Sequence, residues 1–398
     1  MRVRYESKER EEMWKGEESE VMENKVRVAL IGTGTMGKKY ADMITAGKVP
    51  GMVLTALVAR KQETKEWAEK LEDREGIKPV VYADADGLFA EADNYDAVII
   101  ATPHKTHAEF AIRAFELGKH VMCDKPAGVT VGQANSMTEA SRKYKKMYAM
   151  MFHQRRYPKY LKIKEILGSG RIGKLERIML VNSRYYRTSH YHHSGGWRSS
   201  WNGEGGGALI NQGAHILDIW QWMFGMPDSI YADIPFGKYN DFDVDDEAAI
   251  YMRYPDNLTA IFMLTTGEAV REERFEIVGS RGKLLLEEDT LHIWDYGTDS
   301  EEYIKSEQVN SRENLHLTEK IIEFPKTEEP YEEMLENFAQ AVITGDETIL
   351  TAPGADAVNQ IMLTNSAYYS AWIGQRVKLP MDSESYDREL AKKALKDR

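Results

Sequence analysis

Residues 26 to 44 read "VRVALIGTGTMGKKYADMI". A short aliphatic run, a glycine-rich turn and a segment with apolar residues at helical spacing make a strand, a turn and a helix. Gly32, Gly34 and Gly37 spell G-x-G-x-x-G across the junction. The first glycine allows a tight turn, the second lets the backbone approach a pyrophosphate, and the third lets helix and strand pack closely. The helix opening at Thr35 and Met36 then offers free N–H groups and a partial positive charge to phosphate. The motif is weak alone; its place between strand and helix marks a dinucleotide-binding turn.

The alternation continues. "MVLTALVAR", "KPVVYAD", "YDAVIIATP", "KHVMCDKP" and "KMYAMMFHQ" read as further strands, most separated by helical stretches such as "KTHAEFAIRAFELG". Strands with few polar residues between helices imply a parallel sheet covered on both faces. Right-handed crossovers then give a doubly wound α/β Rossmann domain, placed at residues 25–153. The second strand ends "VARKQ", with Arg60 and Lys61 where an acidic residue would bind the ribose of NAD. Two cations there favour the 2′-phosphate of NADP over NAD, because a guanidinium pairs with phosphate bidentately.

The 398-residue chain has a net charge of -12, which argues against nucleic acid or an anionic membrane surface as partner. Its one cysteine, Cys123, allows no internal disulfide and suits a reducing, cytoplasmic setting. No run approaches the roughly eighteen apolar residues of a membrane span. Residues 1–24 are mostly charged, lack the apolar core of a secretory signal, and are expected to be mobile or loosely helical. Translation is expected to be able to start at Met22.

Residues 154–398 are expected to form an α+β domain. "LERIMLVNSRYY", "DSIYADIPFGKY", "DDEAAIYMRYP", "LTAIFMLTT", "RFEIVGSRGKLLLEED" and "TLHIWDYG" are strand-like, many with alternating polarity. They suggest a mixed or antiparallel sheet with one open face, suited to self-association. "YEEMLENFAQAVITG" and "APGADAVNQIMLTNSAYYSAWIGQ" are helical, the second packing back on the first domain.

Two motifs carry chemistry. The fifth strand ends "CDKP", which puts Lys125 at the carboxyl end of the sheet, where ligands of such folds bind. Its ammonium suits a hydrogen bond to a substrate hydroxyl, or its amine a proton transfer. "GEGGGALINQGAHILD", residues 203–218, places His215 and Asp218 on the apolar side of a helix behind three glycines. Between the two, "RYYRTSHYHHSGGWRSSWNG" mixes aromatic and polar groups, as a polyol pocket does, and no metal is expected in it.

With the glycine turn, "ATPHKTHAEFAIRAFELGKHVMCDKP" and "GGGALINQGAHILD", the chain resembles the Gfo/Idh/MocA family, named for glucose–fructose oxidoreductase and inositol dehydrogenase. The likeness runs from Val26 to about Pro380. Asp124 stands where the family usually has glutamate. The resemblance implies that Thr102, Pro103, His107 and Asp124 adjoin the cofactor and that the Lys125–Pro126 bond is cis. Trp197 and Arg198 would belong to a loop that reaches the cofactor or a neighbouring subunit. It also implies a substrate lying between Lys125 and His215, with His215 taking the hydroxyl proton and Lys125 steadying the alkoxide. The triple glycine would let the backbone pass close to the site. Asn211 replaces the family's frequent aspartate and is expected to hydrogen-bond a substrate hydroxyl, with Arg155, Tyr186, His193 and Asp218 in the same pocket. Asp218 either orients the imidazole or belongs to helix packing. The expected activity is an NAD(P)-dependent dehydrogenase acting on a secondary hydroxyl of a sugar, cyclitol or glycoside, in a dimer or tetramer. A redox-neutral, NAD-dependent glycosidase and a non-catalytic cofactor-binding regulator are the alternatives.

Overall fold

A computed structural model describes residues 25–306, 316–326 and 328–397. The segment 1–24, with its loosely helical reading and the start at Met22, lies outside the described residues. Strands β1 (Val26–Ile31), β2 (Met52–Val58), β3 (Val80–Tyr82), β4 (Ala97–Ile100), β5 (His120–Cys123) and β6 (Tyr148–Met150) form one parallel sheet in the order β3-β2-β1-β4-β5-β6. All four residues of β4 are buried, as a strand covered on both faces requires. The order reverses between β1 and β4, and at such a switch point a crevice opens beyond the carboxyl ends of the strands.

The second sheet contains β7 (Leu175–Asn182), β8 (Ser229–Asp233), β9 (Glu247–Arg253), β10 (Thr259–Thr265), β11 (Glu273–Gly279), β12 (Gly282–Glu287), β13 (Thr290–Asp295), β14 (Thr318–Glu323) and β15 (Val377–Lys378). Their order is β14-β13-β12-β11-β7-β10-β9-β8-β15. Only β7 and β10 pair in parallel among these described strands; the sheet is mixed. Ile178, Leu180, Ala260, Phe262 and Leu264 point into the core at alternate positions, under helices Gly213–Phe224 and Ala357–Ile373. Met179, Val181, Ile261 and Met263 lie on the opposite, partly exposed face.

Three details differ from the sequence reading. The run 274–289 is not one strand but a hairpin, in which Gly279 pairs with Gly282 across Ser280 and Arg281. A Cβ at Gly282 would lie 2.5 Å from the Trp294 carbonyl oxygen, so the turn needs glycine there. β14, β15 and the helix Ser383–Ala394 were not read from the sequence. The apolar core of the first domain also takes in side chains from beyond residue 153. Met334, Leu335 and Phe338 of helix Tyr331–Thr344 are buried in the same apolar cluster as β1, β4 and β5. Helix Ala357–Ile373 belongs to both cores: Ala357 and Ile361 pack in the first, Leu363, Ala367 and Tyr368 in the second. Among the described residues no helix is long and apolar enough to cross a membrane.

Candidate active site

The glycine turn has the shape of a phosphate cradle. A Cβ at Gly32, where φ is +106°, would lie 2.4 Å from the Ala101 carbonyl oxygen, and one at Gly37 would lie 1.7 Å from that of Gly32. Those two glycines let the turn close and the helix pack. Gly34 is different: its Cβ would meet nothing within 4 Å. It caps helix Thr35–Thr45, and no side chain occupies the free N–H groups behind it. Open space above a helix N-terminus fits the pyrophosphate of a dinucleotide.

A cleft of about 1410 Å³ starts at this turn, lined by Gly32, Gly34, Thr35 and Met36. Arg60 and Lys61 after β2, Thr102 and Pro103 after β4, and Asp124 and Lys125 after β5 also line it. The second domain supplies Trp197, Arg198, Asn211 and His215. His107 is a clamp behind the wall: its ring nitrogens lie 2.7 Å from the carbonyl oxygens of Pro126 and Thr102, tying the loops after β5 and β4 together. The Lys125–Pro126 bond is cis.

Lys125 is held by one residue. Its Nζ donates to the Asn211 backbone oxygen at 2.9 Å and to Asn211 Oδ1 at 2.8 Å. The other end of the Asn211 amide donates to Glu204 and, at 3.3 Å, to the Tyr191 hydroxyl. Glu204 also accepts from the Ser199 N–H at 2.7 Å and faces Arg198 at 3.8 Å. Burial pushes the Glu204 carboxyl up to about 7, against the pull of these donors. Burial lowers the Lys125 ammonium from its ordinary value, and Asp124 and Glu204 oppose the fall. The two groups on either side of Asn211 are thus drawn towards each other in acidity. The Tyr191 oxygen lies within reach of N–H donors from Arg198, Gln212 and Asn211 at 2.8, 3.0 and 3.3 Å, which leaves its own hydrogen for another acceptor.

His215 faces the cleft with its Nδ1 buried and unpartnered. Its ring stands edge-on to His153, centroids 4.6 Å apart, and the His153 ring packs on Tyr331. Burial, then His153, Lys125 and Arg184, hold the His215 imidazolium well below its usual value, so the ring is neutral near neutral pH. Burial likewise lowers His153 to about 3.

Asp218 does not orient that imidazole. Its carboxylate takes a bidentate contact from Arg155, at 2.6 and 2.8 Å, and both side chains are buried. Arg155 also reaches Asp356 at 2.7 Å. The triad ties the segment after β6 to helix Gly213–Phe224 and to the start of helix Ala357–Ile373, and neither Arg155 nor Asp218 lines the cleft. The triple glycine has a similar explanation. Added Cβ atoms at Gly205, Gly206 and Gly207 would lie 2.6 Å from Val129 Cγ1, 2.4 Å from the Tyr368 hydroxyl and 1.9 Å from the Asp245 carbonyl oxygen. The glycines make room for packing, and none of the three lines the cleft. Tyr186 is 54% exposed and His193 hydrogen-bonds Ser189; neither lines the cleft.

Glu204, Tyr191 and His153 were missed in the sequence. His153 follows the sixth strand, where the rule for carboxyl ends of strands points. Glu204 stands in the motif itself, inside "GEGGG", but its bond to Asn211 depends on a loop that only the fold closes.

A family described as an oxidoreductase family with an NAD-binding Rossmann fold matches residues 26–152, and the GFO/IDH/MocA C-terminal domain matches residues 160–285. The chain belongs to the Gfo/Idh/MocA oxidoreductase family. Among relatives, an uncharacterized oxidoreductase of Escherichia coli is 28% identical over 346 residues, 84% of this chain and 86% of that protein. The myo-inositol 2-dehydrogenase of Thermotoga maritima is 25% identical over 280 residues, 66% and 75% of the two chains. A solved levoglucosan dehydrogenase in complex with NADH superposes with a TM-score of 0.74 at 21% identity, covering 90% of this chain and all of that one. As in other Gfo/Idh/MocA proteins, the first domain is an NAD-binding Rossmann domain, and the chain is an oxidoreductase.

Proposed function

We propose that this Gfo/Idh/MocA protein is a cytoplasmic, NAD(P)-dependent dehydrogenase for a secondary hydroxyl of a sugar, cyclitol or glycoside. The observation that carries the reading is the meeting of Lys125 and His215 in one cleft with the glycine turn. A bound nicotinamide supplies the hydride acceptor or donor. Two of the three Lys125 N–H groups go to Asn211, and the third is free to donate to a substrate oxygen and to stabilise it as negative charge develops. The neutral His215 takes the hydroxyl proton in the oxidative direction. Asn211 holds the lysine, and its amide is already engaged at both ends. Arg60 and Lys61 line the cleft without an ion pair among the described residues, which supports NADP as the favoured cofactor. The open face of the second sheet, with Met179, Val181, Ile261 and Met263, supports self-association as a dimer or tetramer.

The test is Lys125→Met, with cofactor affinity read by reduced-nicotinamide fluorescence and turnover by a panel of sugars and cyclitols. Turnover should vanish while affinity for NADPH or NADH stays within about threefold, since the phosphates bind at the glycine turn. Equal affinity of the unmutated protein for the two cofactors refutes the NADP preference; loss of affinity as large as the loss of rate refutes the placing of Lys125.

A further inference from the structure

Arg187 lies on the wall of the cleft, and its guanidinium stacks on Tyr191 at 4.3 Å and on Tyr185 at 5.3 Å. Its backbone N–H is fixed to the Thr266 carbonyl oxygen at 3.0 Å. Among the described residues no carboxylate pairs with it, and its Nε is buried without a partner. Three carboxylates at this end of the site have other partners. Glu204 serves Asn211, Ser199 and Arg198; Glu329 faces Lys39 at 3.5 Å and His153 at 3.9 Å; Asp124 takes the Lys125 N–H at 2.8 Å and the Tyr40 hydroxyl at 3.3 Å. Arg198, which donates to the Tyr191 hydroxyl at 2.8 Å, and Arg184, over Tyr185 at 5.8 Å, add positive charge. An unpaired cation that aromatic rings hold in place, in a chain of net charge -12, is an arrangement that invites an anion.

The position says which part of a ligand it would meet. Lys125 Nζ reaches Asn211 at 2.8 Å, Asn211 reaches the Tyr191 hydroxyl at 3.3 Å, and the Tyr191 ring touches Arg187. Arg187 thus lines the same cleft as Lys125 and stands close enough for its charge to lower the lysine's ammonium, whereas Arg60 and Lys61 follow β2, at the position that meets the adenosine ribose. Resting on the dehydrogenase reading above, we infer that the substrate is an anionic sugar, whose carboxylate or phosphate is bound by Arg187 while Lys125 holds the reacting hydroxyl.

The probes are D-glucose, D-glucuronate and D-glucose 6-phosphate, added to the full chain saturated with NADH and followed by quenching of the nicotinamide fluorescence. At least one acid should bind about ten- to hundredfold more tightly than glucose, as one charge-assisted bidentate contact allows. Tighter binding of the uronate names a carboxylate, and of the phosphate ester a phosphate. Arg187→Met should bring the ratio of acid to neutral sugar close to one. About 0.5 M salt should lower the same ratio in the unmutated protein, a measurement that holds even if the variant does not fold. Binding of glucose as tight as that of both acids, binding of none of the three, or a ratio unmoved by salt overturns the inference. In the first case, oxidation of a neutral sugar by the same protein leaves the dehydrogenase reading standing; absence of nicotinamide reduction with every sugar and cyclitol of the panel overturns that reading itself.

Discussion

Glu204→Gln should remove a loss of stability that the protein suffers as pH rises from acid to above neutral. In the fold the Glu204 carboxyl is raised from 4.5 to about 7 because it is buried, so the protonated form is favoured. Below the unfolded value both states carry the proton and nothing is lost. As pH rises, the unfolded chain releases the proton first, and stability falls until the folded value is passed; at about 1.4 kcal/mol per pH unit the loss approaches ~3 kcal/mol. Glutamine cannot ionise and keeps one acceptor oxygen for Asn211; the Ser199 N–H loses its acceptor, a cost that does not vary with pH. Urea denaturation of both proteins across this range should show their difference moving by about 3 kcal/mol in favour of glutamine between pH 4.5 and a pH above 7. Asp245, which burial raises to about 6, titrates in both proteins and drops out of the difference. A difference that is flat across this range refutes the reasoning, since Glu204 would then ionise in the fold as it does in the unfolded chain.

Two further outcomes are expected. Gly34→Ala should change stability by less than about 0.5 kcal/mol, because its Cβ meets nothing and its φ of -74° is ordinary, yet weaken cofactor binding at least tenfold by filling the cradle; unchanged affinity in the fluorescence titration would empty the cradle of its role. Asp218→Asn should cost about 3–5 kcal/mol in chemical denaturation by leaving the buried Arg155 half-compensated, and should not move the pH dependence of turnover; a shifted pH profile with intact stability would return Asp218 to the imidazole.

The parallel sheet was legible because its strands are buried on both faces and read as unbroken apolar runs, and because the glycines stand between strand and helix. The second sheet was legible in β7 and β10 as apolar runs, since both their faces carry apolar residues, and in β8 by alternation, with Ile230 and Ala232 buried and Tyr231 and Asp233 exposed. The hairpin at Gly279 and Gly282 was hidden, since its turn, Ser280–Arg281, lacks the usual Asn-Gly or Asp-Gly signal. β14 is exposed along most of its length, and helix Ser383–Ala394 buries only Tyr386 and Leu390, so neither carries an apolar period strong enough to read. Lys125 and His215 could be named from motifs. What surrounds them could not: Asp218 lies near His215 in sequence, but its partner, Arg155, comes from another element 63 residues away. Spacing along a helix identifies neighbours on that helix, and says nothing of a cation that arrives from outside it.

The return of helix Tyr331–Thr344 to the first core has a consequence for how the chain is made. The six strands of the first sheet have all been synthesised by residue 150, but the surface that Met334, Leu335 and Phe338 cover stays bare until this helix emerges. Roughly 180 residues of second domain are translated in between, and at about 5–20 residues per second that is a wait on the order of ten to forty seconds. For that interval a nearly complete nucleotide-binding domain exposes an apolar face on the ribosome. A helix in the last quarter of the chain therefore decides when the six strands of the first sheet are safe from aggregation, and a ribosome that stalls in the second sheet leaves behind a sticky half-built domain.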